Sequence, residues 1–328
     1  MAVGSSEAIA RPSAIDQHGA GMPRHHKIIF AVLFLLLLVA PFVLYPIFVM
    51  KVLCFALFAS AFNLLLGYGG LLSFGHAAFF GMASYVSAHS AKVWGFTPEL
   101  AILSGTVVAG LLGVAIGWLS IRRQGIYFAM VTLAFAQMVY FFSVQAPFTG
   151  GEDGIQAVPR GELFGVFSLD AAEPLYFTVL AIFFVGMLTI YRIIHSPFGQ
   201  VLKAIRDNEP RAISLGYRVN RYKLAVFVMS ATLAGLAGAT KAIVFQLASL
   251  TDVQWQMSGE VVLMTLLGGM GTVFGPLVGA AIIIAMQNYF ATFGAWVTVI
   301  QGTIFVISVL LFREGIVGII AKWTGRPL

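Results

Sequence analysis

Long runs of apolar residues, separated by short groups of charged and turn-forming residues, follow one another along most of this chain. A membrane-spanning helix needs about 20 consecutive apolar residues, and each run approaches or exceeds that length. The pattern therefore predicts an all-α integral membrane protein, a polytopic bundle of about ten transmembrane helices. The candidate spans lie near residues 28–48, 51–67, 72–92, 98–120, 125–146, 174–195, 222–246, 257–273, 275–292 and 295–313.

The composition agrees with a membrane environment. Hydrophobic residues make up 59% of the 328 residues and charged residues 10%, whereas soluble domains carry about 25% charged residues. The single cysteine, Cys54, lies inside an apolar run, so no disulfide can form within one chain. The formal net charge of +6 comes from basic residues between the spans. These residues do not form one soluble basic face, which argues against a nucleic-acid partner.

The distribution of Lys and Arg predicts the orientation of the chain. If the N-terminus is cytoplasmic and each span crosses once, fifteen of the nineteen basic residues fall on the cytoplasmic side. Both termini are then cytoplasmic, and eight or twelve spans would preserve the same asymmetry. The basic residues that fall outside are Lys51, Lys92, Arg160 and Lys241. We expect a disordered N-terminal tail over 1–27, a transmembrane domain over 28–313 and a cytoplasmic C-terminal tail over 314–328.

Two loops are longer than the ~2–8 residues that usually join helices. The outer loop covers about 147–173 and the cytoplasmic loop about 195–221. In the cytoplasmic loop, Asp207 or Asn208 can cap a short helix that has Pro210 in its first turn and ends at Gly216.

This short helix carries a small apolar face made of Ala212, Ile213 and Leu215 among several arginines. Such a face would meet water unless something covered it. Two interpretations follow from the residues alone. The helix docks against a partner protein, or it lies on the membrane surface, attracted to anionic lipid by its arginines.

Glycines interrupt two apolar regions, one around 67–75 and one around 268–276. Broken helices are tolerated in a membrane where the freed backbone groups bond to protein or line a wet path. Glycines also let helices pack closely, which is an alternative for Gly271, Gly275 and Gly279 and our interpretation of Ala109, Gly113 and Gly117.

His76 is the most notable polar residue in an apolar setting, because an ionisable group at membrane depth needs a partner or a wet cavity. A transport role and a purely structural hydrogen bond both fit it. Nearby hydroxyl and amide groups could line the same path. The candidates for the substrate pathway are Gly69, Gly70, Ser73, Gly75, His76, Tyr127, Thr132, Gln137, Gly268, Gly269 and Gly271.

The sequence lacks several catalytic and nucleotide-binding motifs. It has no G-x-x-x-x-G-K-[ST] loop for ATP phosphates and no H-E-x-x-H zinc motif. Glu260 is the solitary carboxylate of its predicted span, so acid–base catalysis lacks a second group. We therefore expect no enzyme activity, no metal and no cofactor bound by this chain.

Several motifs, in this order and spacing, resemble the LivM-type permeases of branched-chain amino acid importers. The resemblance extends over roughly residues 28–320. The motifs that carry it are Gly67-Tyr68-Gly69-Gly70 with Ser73-Phe74-Gly75-His76, Gln124-Gly125-Ile126-Tyr127, Thr149-Gly150-Gly151 with Asp153-Gly154, Ser196-Pro197-Phe198-Gly199, Ala204-Ile205-Arg206-Asp207-Asn208-Glu209, Leu267-Gly268-Gly269-Met270-Gly271 and Phe312-Arg313-Glu314-Gly315.

The resemblance implies a multi-pass permease subunit of an ATP-binding-cassette importer in the bacterial inner membrane. It implies a LivH-type second permease, two ATPase subunits that bind ATP-Mg, and an extracytoplasmic solute-binding protein. The cytoplasmic loop would fit a cleft on the ATPase, although this chain has Glu209-Pro210-Arg211-Ala212 where importers usually begin Glu-Ala-Ala. The residues assigned to this contact are Arg206, Asp207, Asn208, Glu209, Ala212, Ile213, Leu215 and Gly216.

The substrate stays open at this point. Branched-chain or related hydrophobic amino acids suit an apolar path better than sugars, whose hydroxyls need many buried partners. Urea, short-chain amides or a sugar remain alternatives within the same class. An ion-coupled secondary transporter is a different class, and it would need more ionisable residues at membrane depth than the sequence offers.

Overall fold

The computed structural model describes residues 24–165, 167–291, 294, 296–311 and 315–324. The predicted tail over 1–27 lies outside these residues except for its last four, which begin the first helix. The helices are α1 (Arg24–Val43), α2 (Pro46–Asn63), α3 (His76–Lys92), α4 (Pro98–Ser120), α5 (Ile126–Gln145), α6 (Ala172–His195), α7 (Pro197–Asp207), α8 (Glu209–Ser214), α9 (Val219–Phe245), α10 (Trp255–Gly268), α11 (Gly275–Tyr289), α12 (Trp296–Leu311) and α13 (Gly315–Thr324).

Short strands and turns complete the described chain. The strands pair in two antiparallel couples, β1 with β4 and β2 with β3. A π-helical turn, Leu64–Tyr68, extends α2. The strands are β1 (Ile155–Gln156), β2 (Glu162–Leu163), β3 (Phe167–Ser168) and β4 (Leu247–Ala248). The contacts of the described residues divide the chain between Val39 and Ala40 into two units, and α2 to α13 belong to the second.

Judged by length and apolarity, five described helices could each cross a bilayer. They are Pro46–Tyr68, Pro98–Ser120, Ile126–Gln145, Ala172–His195 and Val219–Phe245. α10 has 14 residues, and at 1.5 Å per residue it is about 21 Å long, shorter than the hydrocarbon core of about 30 Å. The all-α membrane class is therefore confirmed, while the count of ten spans and the side of each terminus stay predictions.

Several helices begin or end away from the predicted boundaries. The second span begins at Pro46 rather than at residue 51, because a proline without an N–H is well placed in the first turn of a helix. Lys51 therefore lies inside α2. The predicted spans 72–92 and 257–273 are shortened, since α3 begins at His76 and α10 ends at Gly268. The two breaks, 69–75 and 269–274, contain Gly70, Gly269 and Gly271 with φ of +68°, +126° and +79°.

Small residues bring α9 into close contact with α4. A Cβ added at Gly235 would lie 2.2 Å from the Cβ of Ala109, and one at Gly113 would lie 2.7 Å from the Cβ of Ala231. Gly117 faces Phe227 in the same way, at 2.7 Å. The stretch 109–117 therefore acts in helix packing, as predicted.

The helices α10 and α11 form an antiparallel hairpin held by glycines. A Cβ at Gly268 would lie 1.9 Å from the carbonyl oxygen of Gly275, and one at Gly279 would lie 1.8 Å from that of Met264. Side chains cannot fit at these positions. The α13 helix also meets this region, because a Cβ at Gly315 would lie 2.3 Å from the Cα of Gly269. Part of the predicted C-terminal tail is thus a packed helix.

The two long loops lie at opposite ends of the bundle. Lys223, near the start of α9, forms a 2.8 Å ion pair with Glu209 of the predicted cytoplasmic loop. At the other end of α9, the carbonyl of Val244 accepts a 3.1 Å hydrogen bond from Arg160 of the predicted outer loop. Strand β1 of that loop pairs with β4 just after α9. The ends carrying these two loops are called here the coupling end and the outer end.

Candidate translocation and coupling site

The cytoplasmic loop contains the predicted short helix, α8, and a second helix, α7, before it. Pro197 begins α7, and the Ser196 hydroxyl accepts a 3.3 Å bond from the Gly199 N–H as its cap. Sequence reasoning missed α7, although Ser followed by Pro is a signal for a helix start. Asn208 caps α8 by accepting a 3.0 Å bond from the Arg211 N–H. Of the two predicted caps, Asn208 takes this role and Asp207 ends α7.

The apolar residues of α8 and Leu215, which directly follows it, divide into one buried side chain and two exposed ones. Ala212 is buried and packs with Ile205 of α7 and Val219 of α9. Ile213 is 57% exposed and Leu215 is 68% exposed. Only these last two can meet a partner directly. Gly216 follows with φ +88°, a conformation that ends the helix and favours glycine.

Glu209 ties α8 to the rest of the coupling end. Its carboxylate accepts 2.8 Å from Lys223 Nζ and 3.1 Å from Gln124 Nε2. The acid is therefore already paired within the chain. A groove beside α8 keeps an excess of positive charge from three arginines. Its lining residues are Ile121, Arg122, Gln124, Glu209, Ile213, Arg218, Val219, Asn220 and Arg221.

Arg206 points from α7 into the bundle. Its Nη1 donates a 2.5 Å bond to the carbonyl of Gly67, and its Nε and Nη2 lie 3.1 and 3.0 Å from Asp207 Oδ1. A Cβ at Gly70 would lie 2.8 Å from Arg206 Cγ. On the same helix, Lys203 Nζ lies 5.6 Å from the ring centre of Tyr68. Burial and, less strongly, Arg206 lower the pKa of Lys203, and Asp207 opposes this shift.

Asn63, at the end of α2 before the first break, bonds the backbone of the second break. Its Oδ1 accepts 2.9 Å from the N–H of Gly271, and its Nδ2 donates 2.8 Å to the carbonyl of Thr272. The backbones also touch, because a Cβ at Gly67 would lie 2.6 Å from the nitrogen of Gly271. Two regions that the sequence predicted separately thus form one contact beside Arg206.

The predicted pathway residues Ser73, Gly75 and Thr132 lie together. The Thr132 hydroxyl accepts 3.2 Å from the N–H of Phe74, and Ser73 Oγ accepts 3.1 Å from the N–H of Gly75. A Cβ at Gly75 would be 3.0 Å from the carbonyl oxygen of Thr132. These groups satisfy the backbone of the first break against α5. Gly69 is buried in the same break, where a Cβ would lie 2.6 Å from the carbonyl oxygen of Leu65.

His76 is fully buried and bridges three helices. Ser230 Oγ donates 2.5 Å to the carbonyl of Ala61, so His76 Nε2, 2.9 Å from Ser230 Oγ, is the donor to that hydroxyl. The rings of Phe62 and Phe79 pack edge-on against the imidazole, with centroids 5.0 and 5.6 Å away. In this state the side chain is part of the packed core.

Tyr127 and Gln137 lie apart from this group. Tyr127 is 69% exposed at the start of α5. Gln137 lines a polar cavity of about 170 Å³ near the outer end, and sequence reasoning did not predict this cavity. Within the described chain no hydrogen bond involves their side-chain polar groups. The other lining residues are Tyr140, Gln254, Trp255 and Gln256.

Buried charges were also missed or misplaced. Lys241, which the sequence placed toward the outer end of the span 222–246, lies inside α9 and is 8% exposed. Its Nζ is 2.7 and 2.9 Å from the carboxylate oxygens of Asp252. Glu260 is the one carboxylate of α10, and it accepts a 3.0 Å hydrogen bond from Gln287 Nε2, a partner that was not predicted. The signal that could have found these pairs is the general need of an ionisable group in lipid for a partner.

The described residues contain no group of three His, Cys, Asp or Glu side chains that could hold a metal ion. The functional features are instead apolar helices, glycine-lined breaks and a helix pair at one end. Together they define a polytopic helical membrane protein of the permease class. The family described as branched-chain amino acid transport system / permease component matches residues 46–309. The chain belongs to this family, which confirms the resemblance to LivM-type permeases.

Individual relatives agree with this assignment. The chain is 27% identical over 281 residues to the high-affinity branched-chain amino acid transport system permease protein LivM of Escherichia coli (strain K12). It is 26% identical over 277 residues to the protein of the same name from Salmonella typhimurium. Each match covers 77% of this chain and 65% of the relative, so less than two thirds of either relative is spanned.

A sugar permease is also similar to this chain. The ribose import permease protein RbsC of Bacillus subtilis (strain 168) is 29% identical over 237 residues, which are 68% of this chain and 70% of the relative. No solved structure matches. The permease family is thus shown by sequence, and its named members carry different solutes.

Proposed function

We propose that this chain is the membrane-spanning permease subunit of an ATP-binding-cassette importer in the bacterial inner membrane. Its solute is a branched-chain or related hydrophobic amino acid. The observation that carries the proposal is the family match over residues 46–309. The chain itself hydrolyses no ATP in this proposal, because ATP-Mg is bound by partner ATPase subunits.

The coupling end supports a docking role for α8. Ile213 and Leu215 present apolar side chains to the outside while Ala212 holds the helix to the bundle. An apolar tip beside a basic groove fits a partner that has an apolar cleft with an acidic rim. We assign this partner as one of two ATPase subunits. Anionic lipid is the competing occupant.

The pathway requires a second permease chain in this proposal. A cavity between α2, α6 and α9, lined in part by Leu53, Leu57 and Phe183, has a volume of only about 10 Å³. Such a space holds about one water molecule and no amino acid. A LivH-type partner would complete the path along this chain. The polar cavity around Gln137 would receive the solute from an extracytoplasmic binding protein.

A sugar is the second candidate solute. The similarity to a ribose permease favours it, since the relatives of this chain include permeases named for an amino acid system and for ribose. The apolar character of the spans favours an aliphatic amino acid, because each buried sugar hydroxyl without a partner costs about 1–3 kcal/mol. We therefore place the amino acid first.

The test is reconstitution in liposomes with candidate partners, namely a second permease, ATPase subunits and a solute-binding protein. Radiolabelled leucine should accumulate only with ATP and the binding protein present, and ribose should not. Accumulation of ribose but not leucine would favour the sugar. Accumulation by this chain alone under a proton or sodium gradient, without nucleotide, would overturn the proposal and indicate a secondary transporter.

A further inference from the structure

We propose that Arg206 is the positioning residue that carries the motion of α7 and α8 into both helix breaks. This inference rests on the proposed function, because it concerns how an ATPase attached at α8 would move the pathway. It differs from the predicted role of Arg206 as a contact to the ATPase. The side chain points into the bundle, toward the carbonyl of Gly67.

The first step is that α7 and α8 move together. Ile205 of α7 and Ala212 of α8 are both about 2% exposed and pack in one cluster with Val219. Asn208, which caps α8, directly follows the last residue of α7. Buried apolar packing of this kind is dense and transmits displacement. A push on Ile213 or Leu215 therefore displaces Arg206 as well.

The second step is the contact of Arg206 with the end of the π-helical turn and with the first break that follows it. Its Nη1 bonds the carbonyl of Gly67, near the end of the π-helical turn, where carbonyl groups lack partners in the helix. The aliphatic part of Arg206 lies on Gly70, where a Cβ would be 2.8 Å from Arg206 Cγ. The fork of the guanidinium also bonds Asp207. Lysine cannot reproduce this forked geometry.

The third step joins the first break to the second. Asn63 makes two hydrogen bonds, to the N–H of Gly271 and to the carbonyl of Thr272. The backbones of Gly67 and Gly271 are in contact. A displacement of Gly67 by Arg206 is therefore passed to the turn between α10 and α11. The two breaks respond as one unit to the helix pair at the coupling end.

The experiment uses the complete reconstituted importer with a cysteine reporter in the second break. Met270 is 51% exposed, so Met270→Cys in a Cys54→Ala chain reports its environment by its rate of reaction with a maleimide. We compare this chain with and without Arg206→Gln. Arg192→Gln on α6, also exposed, is the matched control outside the contact. ATP hydrolysis and uptake of leucine or ribose, whichever the parent takes up, are measured together.

In the parent and in Arg192→Gln, ATP should change the labelling rate of Met270→Cys. Arg206→Gln should keep ATP hydrolysis within about twofold but lose this change, and uptake per ATP should fall by about tenfold or more, as expected for losing a hydrogen bond from a charged group. An unchanged labelling response and uptake in Arg206→Gln would overturn the inference. So would a parallel fall in assembled complex, hydrolysis and uptake, which indicates a purely structural role.

Failure of the proposed function looks different. In that case the parent complex itself shows no ATP-driven uptake of either solute, whatever residue stands at 206. A parent that transports and an Arg206→Gln variant that behaves like it would refute only the inference. The two results are therefore distinguishable in a single set of preparations.

Discussion

Gly259 and Gly268 lie on the same helix, α10, yet their surroundings differ sharply. Among the described residues, and apart from the backbone of its own helix and its two chain neighbours, no atom lies within 4 Å of a Cβ added at Gly259. At Gly268 the added Cβ would lie 1.9 Å from the carbonyl oxygen of Gly275 and 3.0 Å from the nitrogen of Gly279. The first glycine can be replaced without steric conflict. The second is required by the close approach of two helix backbones.

We predict opposite effects of alanine at these two positions. Gly268→Ala should destabilise the protein by about 1–3 kcal/mol, the usual range for forcing extra atoms into a packed site. Gly259→Ala should be neutral or stabilising by up to about 1 kcal/mol, because alanine favours a helix more than glycine does. Thermal unfolding in detergent measures both. Equal effects of the two substitutions would contradict the packing described for the hairpin.

The residues that sequence reasoning identified correctly depend on their immediate neighbours in the chain. Asn208 and Gly216 bound a short helix by local capping chemistry, and this chemistry is visible in sequence. The partners of Arg206, Asn63 and Lys241 were not predicted. The partners of Arg206 and Asn63 are far from them in sequence. Asp252, the partner of Lys241, lies beyond the end of α9, so helix periodicity does not relate the two residues.

At the scale of single elements, α8 clearly separates a side chain that packs against the bundle from one that is exposed for contact with a partner. Ala212 is 2% exposed and Ile213 is 57% exposed, although they are adjacent in sequence. A change at Ala212 disturbs the fold of the loop. A change at Ile213 alters only what the helix shows to the outside.

We predict that Ile213→Asp weakens binding of the ATPase subunit by about tenfold or more, since an unpaired charge buried in an interface is costly. The fold should be preserved, because the side chain is already exposed. Val93→Asp adds the same charge at another exposed position, at the end of α3 near the outer loop. Co-purification of the ATPase subunit should fall for the first variant and stay normal for the second. Equal co-purification would instead favour the membrane-surface interpretation of α8.

Helix breaks were harder to predict than helices. The segments 69–75 and 269–274 have apolar residues on either side. Hydrophobicity alone therefore predicts that the helices continue into these segments and gives spans that are too long. Their conformation depends on Gly70 and Gly271 at positive φ and on distant partners such as Thr132 and Asn63. Glycine indicated a break or a packing contact in the sequence. Only the three-dimensional contacts show that both occur.

At the scale of the whole molecule, the asymmetry of basic residues agrees with the separation of the two long loops. Glu209 and Arg160, one from each loop, contact opposite ends of α9. Sequence could predict this separation because charge distribution reflects membrane orientation rather than local packing. It could not predict which helices are long enough to span alone. That depends on where each helix stops inside an apolar run.

We predict that the coupling end is cytoplasmic and the other end is outside. Labelling of single cysteines in a Cys54→Ala chain tests this orientation. Phe167 of β3 is 63% exposed and Leu215 after α8 is 68% exposed. A membrane-impermeant maleimide added to right-side-out vesicles should label Phe167→Cys at once. It should label Leu215→Cys only after the vesicles are permeabilised. The reverse pattern, or equal labelling in sealed vesicles, would contradict a cytoplasmic coupling end.

The ion pair between Lys241 and Asp252 has a consequence for biosynthesis. Lys241 leaves the ribosome first, and Asp252 follows it at the end of the turn Leu250–Asp252. An ammonium group at the centre of a membrane helix costs about 2.5–3.5 kcal/mol on insertion scales, and a position nearer the helix end, such as that of Lys241, costs less. We therefore expect release of α9 into the bilayer to become more favourable once that turn has been synthesised, so that the helix and its following turn enter the membrane together.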